Sequence, residues 1–136
     1  MSETGSEDGY RPGACNIGRA ERRKRYAVGV LGFLFAAAVV AVVVAVALPP
    51  AALLSTALPL FGGFLGYLQG RRRFCVAFAR AGVYDTSEEG GERREVTDPD
   101  DHDRDTTAAR TLYRDAALAA AATAIVLYAL GVLVGA

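Results

Sequence analysis

Three stretches without a single charged side chain, 26–48, 51–68 and 116–136, constrain this chain more than anything else in it. They are 23, 18 and 21 residues long. A bilayer core is about 30 Å thick, and a helix rising about 1.5 Å per residue crosses it in about 20 apolar residues. Arg11, Arg19, Arg22, Arg23, Lys24 and Arg25 precede the first run. Arg71, Arg72, Arg73, Arg80, Arg93, Arg94, Arg104, Arg110 and Arg114 fall between the second and third. The Pro49-Pro50 link between the first and second carries no charge. All 15 cations therefore lie on one side of any three-span arrangement. The positive-inside rule makes that side cytoplasmic. The expected fold class is all-α and integral to the membrane. It has three transmembrane helices, an antiparallel hairpin plus a third helix, with the N-terminus cytoplasmic and the C-terminus extracytoplasmic. The expected location is the cell membrane, multi-pass.

Composition agrees, because 52% of the residues are hydrophobic and they are segregated rather than dispersed. The length leaves room for one small unit. Net charge is formally zero. Ten of the 15 acidic residues crowd into 85–105 with three arginines, a local charge of −7 (3 minus 10). The cations cluster beside the apolar runs and form no basic domain, so no nucleic-acid partner is expected. Fourteen of the 15 are Arg, and with the acidic tract and Ala/Val-rich runs this resembles the composition of salt-loving archaea or other high-GC prokaryotes. Ala45-Val46-Ala47 has the small–x–small form of a signal cleavage site. The first run far exceeds the roughly 7–15 residues of a signal core, so a spanning helix is expected instead.

Residues 1–14 are polar and Gly-containing, which predicts a disordered cytoplasmic N-terminus. The segment 15–84 is expected to hold a basic lead-in, the hairpin (26–48 and 51–68) and an interfacial helix at 71–82. On a helical wheel Phe74, Phe78 and Ala81 share one side and Arg73 and Arg80 another. That pattern predicts an apolar face in the acyl boundary, with Arg71, Arg72, Arg73 and Arg80 toward anionic lipid headgroups. Pro59 sits in helix two and frees the carbonyl of Ser55; nearby hydroxyls of Ser55 and Thr56 make a kink there tolerable. Gly62, Gly66 and Gly70 recur every fourth residue, and Gly131 and Gly135 repeat that spacing in the third helix. They predict helix-packing ridges. The acidic stretch 85–106 shows no hydrophobic periodicity and is expected to be a disordered linker. The third helix is then 107–136, capped by Thr106 or Thr107.

Little in the chain suggests chemistry. The apolar runs hold only Ser55, Thr56, Thr123 and Tyr128 as polar residues, besides Tyr26 and Tyr67 near their ends. Proton relays and ion-coupled transporters keep ionisable groups at depth, so a self-contained transporter is not expected. The chain has one histidine, His102, and no Ser/His/Asp set, phosphate loop or carboxylate cleft, so no enzyme activity is expected. The tract DPDDHDRD lacks the alternating acids, Gly and terminal Glu of an EF-hand. Cys15 and Cys75 lie just past the cytoplasmic ends of helices one and two and form a candidate redox pair. Reduced packing cysteines are the simpler alternative in a reducing compartment. No metal-ligand spacing occurs, and no cofactor is expected.

The lead-in Cys15-Asn16-Ile17-Gly18-Arg19-Ala20-Glu21-Arg22 is similar to the Asn-[Ile/Val]-Gly-x-x-[Glu/Asp]-Arg motif of a family of small prokaryotic membrane proteins, of which the YgaP-type inner membrane transmembrane domain is the known example. The run Phe61–Gln69 followed by Cys75-Val76-Ala77 and Gly82-Val83 resembles a related group. The likeness spans about 15–84; the acidic stretch and third helix depart from the two-helix pattern. It implies a membrane hairpin and no catalytic residue. Some relatives carry a rhodanese domain that this chain lacks, so sulfur transfer does not carry over. The expected function is therefore a small structural or accessory membrane protein, with the bilayer, a membrane protein partner or its own copies as partners. A thiol-linked membrane component using Cys15 and Cys75, and a subunit of a multimeric channel or exporter, stand beside it.

Overall fold

A computed structural model describes residues 9–135. The expectation for 1–14 lies outside the described residues except for 9–14. The elements are α1 (Arg19–Ala45), a 3-10 segment (Pro50–Thr56), α2 (Ala57–Arg72), α3 (Val76–Ala81), β1 (Val83–Tyr84), β2 (Arg94–Glu95) and α4 (Pro99–Gly135). Three helical stretches are long and apolar enough to cross a bilayer: α1, the continuous 3-10 segment plus α2, and α4. The fold is mostly helical, as expected, with one addition. β1 and β2 pair antiparallel, Val83 opposite Glu95 and Tyr84 opposite Arg94.

α1 and α4 both begin well before their apolar runs. At 27 and 37 residues they are about 40 and 55 Å long, so their charged first turns project past the apolar zone. For α4 the start is eight residues earlier than the sequence predicted. Asp98 explains this: its carboxylate accepts from the Asp100 amide (2.9 Å) and its carbonyl from the His102 amide (3.0 Å). Pro99 occupies the first helical position, where its missing N–H costs nothing, and Asp100 and Asp101 complement the helix dipole. The second half of the supposed linker is thus a capped helix.

Pro59 lies just past the point where the 3-10 winding gives way to α2, which starts at Ala57. The hydroxyls of Ser55 and Thr56 donate to Ala52 O (2.7 Å) and Leu53 O (2.6 Å) within the tighter 3-10 winding. α1 ends on a left-handed Ala47 (φ 55°), and the Leu48 amide reaches back to Val43 O (3.0 Å), a Schellman-type closure.

α2 packs against both α1 and α4. Mid-bundle, Ala36, Leu60, Ala120 and Ala124 form one core, with Phe33, Phe61 and Phe64 around it. At the charged end, Phe74, Val76, Ala79, Ala109 and Leu112 form a second, and Ile17, Cys75 and Phe78 a third. Elsewhere α1 and α4 present large bare side chains, Leu31, Phe35, Val44, Leu118, Ile125 and Leu133 among them. An apolar surface that extensive is stable facing hydrocarbon and costly facing water.

Candidate functional site

The charged end of the bundle is a small, densely bonded cap, and the lead-in motif builds it residue by residue. Asn16 is fully buried. Its Nδ2 donates to Cys75 O (3.1 Å) and its Oδ1 accepts from the Cys75 amide (2.6 Å). Its own amide donates to Arg73 O (3.0 Å), and its carbonyl accepts from the Asp85 amide (2.9 Å). One residue, through its side chain and backbone together, therefore ties the lead-in to the α2–α3 turn and to Asp85 just past β1. Ile17 seats in the core with Cys75 and Phe78. The Gly18 amide donates to Asp85 O (2.8 Å), and a Cβ there would collide with the Thr86 and Ser87 carbonyls. Glu21 is buried and pairs with Lys24 (3.0 Å) and Arg25 (3.1 Å). Arg22 donates Nε to Gly70 O (2.9 Å), a last-turn carbonyl of α2 that the Arg73 amide also reaches (3.4 Å).

Two aspartates that looked like solvated linker charge are fully buried anchors. Asp85 accepts from the Ser87 amide (3.1 Å) and hydroxyl (2.6 Å) through Oδ1, and from the Gly91 (2.7 Å) and Glu92 (3.1 Å) amides through Oδ2. Burial works to raise its pKa, but the bonds from Ser87, Gly91 and Glu92 outweigh it and hold it below the ordinary value. Asp105 accepts from the Gly13 amide (2.6 Å) and the Tyr10 hydroxyl (2.8 Å), fastening 9–14 to α4. There burial wins, and the carboxyl is pushed up. Burial likewise raises Tyr10, with the Asp105 bond adding to it, and its ring stacks on Tyr84 at 4.2 Å.

Cys15 and Cys75 are both free thiols. Cys15 Sγ donates to Ile17 O (3.7 Å) and Cys75 Sγ accepts from Arg25 Nη2 (2.9 Å). Burial pushes the Cys15 thiol up, against the pull of the Ile17 bond and of Arg73, Arg11 and Arg22. A protonated thiol is a poor nucleophile. No group of three or more His, Cys, Asp or Glu suited to a metal occurs among the described residues.

The expected interfacial helix is corrected. Only Val76–Ala81 is helical there, and Phe74 and Phe78 are 2% and 6% exposed inside the protein. Phe78 lies between the guanidinium groups of Arg25 (5.3 Å) and Arg93 (4.8 Å). Arg72 pairs with Asp115 across α2 and α4 (2.9 Å), while Arg71, Arg73 and Arg80 are exposed.

The glycine ridge is real but has a different register. A Cβ on Gly66 would lie 2.5 Å from the Gly29 nitrogen, and one on Gly32 would lie 2.5 Å from the Gly63 nitrogen. α1 and α2 therefore meet backbone to backbone at Gly29–Gly66 and Gly32–Gly63. Gly70 backs onto the Tyr26 ring, and Gly131 onto Leu53 of the 3-10 segment. Gly62 and Gly135 face open space within the chain. The seam runs 63, 66, 70, a three-then-four spacing that follows a helix stripe better than a strict four. The Gly29/Gly32 spacing of three in α1 was the signal for it.

Fold and cap together define a class: a helical chain with three potential membrane spans, closed at one end by a polar cap. No family model, curated protein or solved structure matches it.

Proposed function

We propose that the chain is a small multi-pass membrane protein of accessory, partner-binding role, with the capped end cytoplasmic and the C-terminus outside. One observation carries the reading. Three of the four polar side chains in the apolar runs are spent on their own backbone: Ser55 on Ala52 O, Thr56 on Leu53 O and Thr123 on Ala119 O (2.8 Å). What remains for interaction is the apolar faces of α1 and α4 and the charged cap. In hydrocarbon, helices associate by packing and interhelical bonding rather than by a hydrophobic drive. Crosslinking in native membranes followed by detergent pull-down is the test. A reproducible partner, or a second copy of the chain, is expected; a strictly monomeric, partnerless protein would overturn the accessory role.

A further inference from the structure

Beside the N-terminus of α1 the cap opens into a cleft of about 290 Å³. Arg11, Arg19, Arg22 and Arg73 line it, with Glu88 the one carboxylate among the described lining residues. Among the described residues none of these four arginines is in an ion pair. Arg22 uses Nε on Gly70 O and keeps its two terminal nitrogens for another acceptor. Among the described residues four cations face one anion there; like charges gathered in one cleft repel, and an anion seated among them offsets that cost.

A second observation points the same way. Gly18 and Arg19, which line the cleft, are the cap and first residue of a 27-residue helix with no side-chain cap. The positive end of its dipole therefore lies beside the cleft, with no side chain capping it. Guanidinium groups match tetrahedral oxyanions by paired N–H donation, and the cleft has room for a phosphate group together with part of what carries it.

We propose that this cleft binds a phosphate-bearing anion, held by Arg11, Arg19, Arg22 and Arg73 beside the N-terminus of α1. Two sources share that chemistry. The Arg22–Gly70 bond sets the cleft level with the end of α2, where a phospholipid headgroup sits on the proposed membrane placement. A small phosphorylated solute is the other. The site does not rest on the accessory role, since no protein partner takes part.

Cys15 lines the same cleft and serves as a built-in reporter, with buried Cys75 as internal control. The full chain in dodecyl maltoside is alkylated with iodoacetamide, and each cysteine is followed by peptide mass mapping. Additions are inorganic pyrophosphate, phosphatidylglycerol or phosphatidylcholine, with chloride matching ionic strength. Bound phosphate should slow Cys15 alkylation several-fold and leave Cys75 unchanged. Protection by pyrophosphate identifies a soluble ligand; protection by phosphatidylglycerol alone identifies a lipid headgroup. The double variant R11Q/R73Q should need at least ten-fold more ligand for half protection. Glu88→Gln should need several-fold less, a gain that loss of folding cannot imitate. Protection by neither compound, or protection in which both variants match the wild type, overturns the proposal.

Discussion

At the residue scale, the cap depends on three buried polar side chains, Asn16, Asp85 and Asp105, whose replacement leaves named groups unpaired. Asn16→Ala strands the Cys75 amide, while the Cys75 carbonyl keeps the Ala79 amide (3.0 Å) as a donor. At about 1–3 kcal/mol per unsatisfied buried group, thermal unfolding in detergent should show a loss in that range. The acidic pair gives opposite pH signatures. Asp85 has a lowered folded pKa, so its contribution is present above the unfolded value of about 3.9 and is lost as pH falls through the lower folded value. Asp105 has a raised folded pKa, owing first to burial, with Asp101 adding and His102 opposing. Its contribution is full below about 3.9 and is lost as pH rises through the higher folded value. Stability should therefore climb on acidification from neutral pH and fall again below about 3.9. Asp105→Asn should flatten the climb and Asp85→Asn the acid-side fall. A wild-type curve unchanged by either substitution would contradict both assignments.

At the element scale, the α1–α2 crossing tests which glycines matter. Gly66→Leu must push a side chain into the Gly29 nitrogen and Arg25 carbonyl, backbone atoms that cannot rotate away. Gly62→Leu enters open space. The first should lower the melting temperature in detergent strongly and the second little, although both belong to the same four-residue repeat. Helix existence and the hairpin were legible because apolar length and Pro49-Pro50 are local signals. The seam's register was not, because a glycine spacing of four does not say where the partner's glycines fall. The cap was least legible. Asp98-Pro99-Asp100-Asp101 carries a helix start that charge density masked. Phe74 and Phe78 read as lipid-facing because their wheel showed one apolar side, while only contacts with Ala109, Leu112, Arg25 and Arg93 reveal what covers it. The Asn16–Cys75 and Asp105–Gly13 bonds join residues 59 and 92 positions apart, beyond any local pattern.

At the scale of the whole molecule, charge asymmetry and shape both bear on the proposed placement. The cap gathers the chain's arginines at the end where α1 starts and α2 stops, and α4 runs from it through an apolar second half to Gly135. Moving that end across a bilayer would carry many charges through hydrocarbon, at about 2.5–3.5 kcal/mol for each one held at mid-depth. Moving the opposite end carries only the uncharged Pro49-Pro50 link and the last turn of α4. A reporter fused after the C-terminus should therefore be active only outside the cytoplasm, and one fused ahead of Arg11 only inside. Arginines introduced at both Pro49 and Pro50 would place a competing positive anchor on the translocated loop, so that variant should insert in mixed orientation. A C-terminal reporter active solely in the cytoplasm would leave α4 unspanning, with its apolar face needing another protein surface to cover it.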